Sequence, residues 1–427
     1  MAEPSDGNWP GFPRETTTAT RYADSGSQAV GIEQRRLLRR QQADRRRRRR
    51  RRLLIAVVVL ALLSPVFYSY VSTMVQPSSL PLGIRTVEWL RQNHGNWLVD
   101  EAESIYYRWK APKKGGPQLK VLPAVGLAAT RAPSPSHDAR KKTRTAAWPP
   151  PIRPVFAHPL PGEGMWHATG PSVQGGPPVL VTTFRTELDY PRIVAYVAWF
   201  DHTRTALGWY PGRYEPPNAP VRGPAMVPHD QRWRLLATFN GGFTHIDGNN
   251  GSAVNGLTNE PLQDGLATLI GYRNGRVDVT TWHGGPNAGR GVVFARQSLP
   301  LIVDDGRLSP KLDYSTEWGY TLGNAVRVWR TGVGIDRRGN VIYAAANDQT
   351  VFTLARILQR AGAVRAMQFD INPEWPTLIT YRHRHGLLPD EVVPNAMQPP
   401  TRYLVPDDRD FVAVYRRLPG PITVPFR

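Results

Sequence analysis

The chain of 427 residues contains no cysteine, which excludes a disulfide-stapled scaffold, a thiolate zinc site and a cysteine nucleophile. It carries no G-x-S-x-G, Walker A, H-E-x-x-H or dinucleotide fingerprint, so serine hydrolase, nucleotide-binding and zincin readings lack the motifs they rest on. Lysine is scarce, Lys311 being the only one after Lys142, an arginine bias of the kind a GC-rich bacterial genome produces. Acidic residues are short too, 34 against 54 Lys and Arg, for a formal net charge of +20. Such a balance points to nucleic acid only if the charge lies on the folded part. It does not. Residues 1–52 hold 14 basic and 6 acidic residues, and residues 108–153 hold 11 basic residues against Asp138 alone, whereas residues 154–427 have 27 against 23. The foldable portion is nearly neutral, and no nucleic-acid partner is expected.

Charge is also missing from residues 53–75, LLIAVVVLALLSPVFYSYVSTMV, and none returns until Arg85. At ~1.5 Å per residue this run crosses a ~30 Å hydrocarbon layer. A core helix rarely stays uncharged this long, and a signal peptide has a shorter preamble and small residues at its cleavage site. Pro65 would break a soluble helix, but in lipid the neighbouring turns and the Ser64 and Ser69 hydroxyls satisfy the freed carbonyls. Arg35, Arg36, Arg39, Arg40 and the run from Arg45 to Arg52 precede the span. The positive-inside rule therefore places the N-terminus in the cytoplasm and everything after residue 75 outside a cytoplasmic membrane crossed once. The run from Arg45 to Arg52 is expected on anionic lipid headgroups.

Residues 1–52 read as a disordered basic cytoplasmic tail, having few large apolar residues to bury. Residues 53–75 are the transmembrane helix, and residues 76–110 read as two juxtamembrane helices interrupted near Gly95. Residues 111–154, rich in Pro, Lys and Arg, read as an extended stalk, flexible and separable. From residue 155 to 427 short β-branched and aromatic runs recur between Gly, Pro, Asn and Asp, as at 179–184, 193–200, 233–239, 266–272, 276–282, 332–336 and 341–346. One helix is expected over 351–361, where Leu354, Ile357, Leu358 and Ala361 share a face before Gly362, followed by a strand over 363–370. The fold class is α+β, a sheet-dominated extracytoplasmic domain after a single transmembrane helix.

Four segments could carry chemistry. In ATFNGGF, residues 237–243, a strand ends in Asn240, Gly241 and Gly242, whose backbone could approach an anion or sugar oxygen; an ordinary turn is the plainer reading. In RTGVGID, residues 330–336, Arg330 offers a planar fork for phosphate or carboxylate, and Asp336 starts the turn through Asn340. In QFDINPEW, residues 368–375, Asp370 ends a buried strand and Glu374 follows four residues on; two carboxylates with separated pKa values suit an acid and a base on a glycosidic bond, the alternative being a loop cap and a solvated acid. His245 opens HIDGNNG, a polar substrate-facing loop rather than a metal site, because a metal needs more ligands than this cluster supplies. No metal or cofactor is expected.

Taken in order, ATFNGGF, ARQSLPLIVDDGRL at 295–308, RTGVGID, a helix near Val351 and AMQFD ending in Asp370 resemble the phosphodiester glycosidase family over about residues 180–381. The resemblance implies a hydrolytic site at the strand ends, with Asn240, Gly241 and Gly242 on sugar or phosphate, Arg330 and Thr331 on the phosphodiester, His245 nearby, and Asp370 as the leading carboxylate with Glu374 as its companion. The family commonly continues Asp-Gly-Gly-Gly-Ser after that aspartate, whereas here Ile371, Asn372, Pro373, Glu374 and Trp375 follow. Proline removes an amide donor and side chains fill space that bare backbone would leave for phosphate, which points to a changed substrate or lost activity. The expected function is that of a membrane-anchored hydrolase on a glycosyl phosphodiester or related bacterial envelope glycan, such as an exopolysaccharide. The alternatives are a silent glycan-binding module or a structural envelope protein.

Overall fold

The computed structural model describes residues 19–78, 80–125, 148–220, 222–248, 250–312, 316–319, 321, 326–395 and 397–418. Part of the expected tail (1–18), part of the stalk (126–147) and the last residues (419–427) lie outside the described residues. The chain divides into two compact units, residues 1–72 and 73–427.

Among its described residues the first unit is helical. Helix α1 spans Ala19–Val75 with Pro65 inside it, and among the described residues it contains the one stretch long and apolar enough to cross a membrane. Proline 65 cannot donate to the carbonyl of Ala61, and the Ser64 hydroxyl donates to that oxygen instead at 3.0 Å, so the helix continues. The helix also runs through the arginines at 45–52, which are exposed. Residues 19–52 are helical and continuous with the apolar stretch. Arginine is a good helix former, and a turn already nucleated by the apolar stretch propagates at little cost.

The second unit opens with α2 (Leu82–Gln92) and α3 (Asn96–Lys110), the two helices expected from the apolar spacing. Among the described residues eighteen strands then form three antiparallel sheets. The largest runs in the order β1 (His167–Thr169), β2 (Val179–Arg185), β3 (Val194–Phe200), β14 (Val341–Gln349), β13 (Val328–Ile335), β15 (Arg365–Gln368), β11 (Val303–Asp304) and β12 (Arg307–Leu308). A second holds β7 (Leu257–Glu260), β6 (Ser252–Val254), β10 (Val292–Gln297), β8 (Ala267–Tyr272) and β9 (Val277–Thr281). The third holds β17 (Leu387–Glu391), β16 (Leu378–His383), β5 (Leu235–Asn240), β18 (Phe411–Arg416) and β4 (Thr205–Tyr210). The turn α4 (His245–Gly248), helix α5 (Val351–Arg360) and two 3-10 turns, His229–Arg234 and Thr316–Trp318, are the other elements among the described residues.

The uninterrupted apolar texture of β3 has a direct cause, since both its faces are covered. Ala195, Val197 and Trp199 pack with Leu354, Ile357 and Leu358 of α5, while Tyr196, Ala198 and Phe200 enter a core shared with Trp209 and Phe239 of the third sheet and Leu269 and Phe294 of the second. Alternate side chains of a strand point to opposite faces. Helix α5 starts on a capping box between Thr350 and Thr353 and lies so close to β13 that a Cβ on Gly332 would come within 2.8 Å of the Met367 carbonyl and 3.0 Å of Leu358. Gly332 of RTGVGID serves this helix–sheet contact, and Gly334 makes room for Ala363 and the neighbouring strand β15. Asp336 starts the β13–β14 turn as expected, accepting from the amides of Arg338 and Asn340 at 2.8 and 2.9 Å.

The stalk is shorter than its composition suggests. Leu119, Leu122 and Val125 pack on the shared core, the Gly115 amide donates to the Asp189 carbonyl at 2.8 Å, and Arg192 reaches the Pro117 carbonyl at 2.9 Å. At the other end Ile152 is buried under α5 and the Trp166 indole donates to the Pro150 carbonyl at 3.0 Å. A few apolar residues in a proline-rich segment suffice when a complementary surface is present. A chain starting at residue 155 discards these contacts, each fully buried aliphatic side chain being worth roughly 1.5–3 kcal/mol. It should melt several degrees below a chain starting at residue 111, and equal midpoints in thermal unfolding would contradict the packing described.

Candidate active site

Four chain segments meet at the ends of β5, β13, β15 and β18. Asp370 lies two residues beyond β15 and is tied to β13 through backbone bonds: the Thr331 amide donates to the Asp370 carbonyl at 2.9 Å and the Asp370 amide to Thr331 Oγ1 at 3.0 Å. Its carboxylate accepts from the Asn372 amide at 2.9 Å and from Arg409 at 3.1 Å. Burial pushes the Asp370 carboxyl up to about 6; Arg409 partly offsets this, and nearby Asp247 adds to it. Asp370 and Arg409 line a cleft of about 550 Å³ together with Glu215, Phe243, Asp247, Asp408 and, from α2, Glu88 and Arg91.

Glu215 is the second buried carboxyl of this cleft. One oxygen accepts from the His245 amide at 2.6 Å, and burial raises the group to about 7 despite Arg296 and Arg409. Arg409 is stabilised in its charged form against burial by Asp370, Glu88, Glu215 and Asp410. In the cleft Arg409 is thus shared by several acids, of which Asp370 and Glu215 are raised towards neutrality.

The expected site residues are distributed differently from the sequence reading. Asp370 lines the cleft. Asn240 stands beside it but is fully occupied: its amide nitrogen donates to the Gly241 carbonyl at 2.7 Å and Thr331 Oγ1 at 3.1 Å, and its oxygen accepts from Tyr343 at 2.6 Å and the Thr377 amide at 3.2 Å. It joins strands, and no bond is left for a ligand. Thr331 does the same work from β13. Arg330 shares the face of Gly332 turned to α5, and donates to the Gln349 and Trp318 carbonyls at 3.0 and 3.2 Å and to Gln368 at 2.6 Å. Burial lowers it to about 10.

His245 turns its ring to Glu260, 3.5 Å away, and contributes its backbone amide to Glu215. Glu374 is buried but does not line the cleft; it lies 3.7 Å from Arg91, and its amide donates to Asn372 at 2.9 Å. Trp375 stacks beneath Arg409 with the guanidinium 4.7 Å from its ring and packs against Leu80 and Ile84. The residues that replace the glycine-rich segment therefore seat α2 at the cleft edge. Among the described residues no group of three or more metal-ligating side chains occurs.

Sequence reasoning missed Glu215 and Arg409. Glu215, between Tyr214 and Pro216, carries no pattern that would single it out. Arg409 does: residues 407–410 read Asp-Asp-Arg-Asp directly before the apolar strand β18, and four charges entering a core need partners.

The sheets and the acid-lined cleft define an α+β protein with a candidate hydrolytic centre at strand ends. Comparison with known families narrows the class: residues 234–370 match the phosphodiester glycosidase family, a match that contains Asn240, His245, Arg330, Thr331 and Asp370 and stops short of Glu374 and Arg409. No curated protein matches the chain. Among solved structures, a hypothetical protein from Synechocystis is 13% identical, with 58% of this chain and 64% of that chain covered at a TM-score of 0.34; this chain therefore spans less than two thirds of that relative. The catalytic domain of zebrafish N-acetylglucosamine-1-phosphodiester alpha-N-acetylglucosaminidase, auto-inhibited by its pro-peptide, is 15% identical, with 59% and 88% covered at a TM-score of 0.37.

The two glycines of ATFNGGF separate cleanly. A Cβ on Gly241 would lie 2.1 Å from Asp410 Oδ2, whereas one on Gly242 meets nothing closer than Phe369 at 3.7 Å. Gly241→Ala should cost about 1–3 kcal/mol or more through overpacking, and Gly242→Ala far less. Chemical denaturation of both variants checks this, and similar losses would show that Gly241 is not set by Asp410.

Proposed function

We propose that the second unit is a glycosidase-type hydrolase acting on a glycosyl phosphodiester of a bacterial envelope, with Asp370 and Glu215 as its acid–base pair. The observation that carries this reading is the presence of both carboxyls, raised to about 6 and about 7, in one cleft beside Arg409. The family match over residues 234–370 supports the reaction class. Asp370, ionised, faces the developing positive charge at the anomeric carbon or deprotonates the attacking water. Glu215, protonated, donates to the leaving oxygen, while Arg409, with Arg91 at the cleft edge, meets the phosphate charge. Burial raises both carboxyls, Glu215 further than the ion-paired Asp370, an order that suits Asp370 to the role of base and Glu215 to that of acid.

The pH profile follows by sign. The base must be ionised, so activity rises through about pH 6; the acid must be protonated, so it falls through about pH 7. On an α-N-acetylglucosaminyl phosphodiester, kcat/KM should be bell-shaped and narrow, Glu215→Gln should remove the alkaline limb, and Asp370→Asn should lower turnover by roughly 10²–10⁴-fold with the thermal midpoint nearly unchanged. Wild-type protein that binds such a glycan without hydrolysing it, with binding indifferent to Asp370→Asn, would favour a glycan-binding module.

The same proposal places α1 as a single membrane span with the arginines at 45–52 on the cytoplasmic headgroups and residues 76–427 outside, supported by its apolar length and the positive-inside rule. Protease added to intact protoplasts should remove the second unit and spare an N-terminal tag. Loss of the tag with protection of the second unit would reverse the orientation.

A further inference from the structure

Helices α2 and α3 show two different faces. Glu88, Arg91, Gln92 and Asp100 line the cleft, and Val99 is buried. Elsewhere on α3, Leu98, Ile105 and Trp109 recur at i, i+7 and i+11, spacings that fall on one side of a helix, and Trp97 stands at its start. All four are exposed, Trp97 by 69% and Trp109 by 89%. In the rest of the second unit exposed apolar side chains such as Met165, Leu188, Leu257 and Leu388 belong to separate elements. A contiguous row on one short helix is unlike that background.

We propose that this face of α3 is a membrane-interface surface, seated among lipid headgroups with Leu98, Ile105 and Trp109 reaching the acyl boundary. Three observations select a bilayer as the occupant. Helix α2 begins seven residues after the apolar helix ends at Val75, so α3 cannot be far along the chain from any membrane that α1 enters. The face combines aliphatic residues with Trp109, and exposed Trp97 flanks it at the helix start, tryptophan being a side chain that settles where hydrocarbon meets headgroup. Exposed Lys113 follows the helix closely, a cation that can meet anionic lipid phosphates, while its neighbour Lys114 lies 3.7 Å from Asp189. Because other residues of the same two helices line the cleft, such seating would hold the cleft entrance near headgroup level. The inference rests on the membrane reading of α1, and its test separates the two.

The absence of cysteine makes site-directed spin labelling direct. Leu98→Cys, Ile105→Cys and Trp109→Cys are each labelled in the full chain, reconstituted into phosphatidylcholine–phosphatidylglycerol vesicles, with Leu388→Cys as a water-exposed control and Val99→Cys as a buried one. The expected result is a several-fold excess of collisions with oxygen over a water-soluble nickel complex at 98, 105 and 109, with the reverse at 388. Nickel collisions at the three positions equal to those at 388 would overturn the proposal, as would shielding from both reagents like that at 99, which would mean protein contact. An alkaline carbonate wash supplies the second reading: chain retained on the vesicles with nickel-accessible labels sinks the docking alone, whereas chain released by the wash sinks the membrane reading and the docking with it.

Discussion

The pairing of buried charges in residues 407–410 governs the site. Asp407 binds Arg402 at 2.8 Å with both side chains fully buried. Asp410 binds Arg296 at 2.8 Å and the Trp209 indole at 2.8 Å; Asp408 pairs with Arg213; and Arg409 pairs with Asp370. A charge removed from water must be met by a partner, and stranding one member of such a pair costs about 3–5 kcal/mol. Two of these pairs link sheets, since Arg296 belongs to β10 of the second sheet and Asp370 follows β15 of the first, while the acidic run enters β18 of the third. The close approach of Asp410 to β5 then leaves no room for a side chain at Gly241, and the Asp408 carbonyl comes within 2.4 Å of where a Cβ on Gly212 would stand.

The same network accounts for the chemistry of Asp370. Arg409 is held from behind by Trp375, and it also donates to the Gly242 carbonyl at 3.4 Å. It cannot swing to solvent, so it remains beside a carboxyl that is otherwise desolvated. Burial and the ion pair oppose one another, and the balance leaves Asp370 able to change protonation near the pH at which a hydrolase works. Among the described residues Glu215 has no ion-pair contact of this length; it accepts from the His245 amide, has more distant cations, and is pushed higher.

The segment from Ile371 to Trp375 departs from the glycine-rich pattern of the family it resembles, and the structure supplies a physical use for the added side chains. Ile371 packs with Phe243 and Val328, Glu374 faces Arg91, and Trp375 fills the space between Arg409 and the start of α2. Where bare backbone would leave a gap, this chain inserts a socket for a helix. The cleft is consequently walled partly by residues far upstream in the sequence.

Much of the architecture was legible in the chain itself because it depends on local patterning. The runs at 179–184, 193–200 and 341–346 became β2, β3 and β14, the spacing of Leu354, Ile357 and Leu358 became α5, and the charge-free stretch became part of one apolar helix. Asp370 at a strand end was legible for the same reason. What local pattern could not supply was the set of partners. Arg330 and Asn240 have side chains suited to a ligand, yet Asn240 spends every bond inside the protein and Arg330 donates to Gln349, Trp318 and Gln368 away from the cleft, while Glu215, Arg409 and the helix that carries Arg91 reach the cleft from sites remote in sequence. The sequence by itself determined which segments alternate, turn or cross a membrane-sized distance, since those follow from neighbours along the chain. Which charged groups would share a cleft was decided by tertiary structure alone, because burial and pairing depend on what the fold brings within a few ångströms.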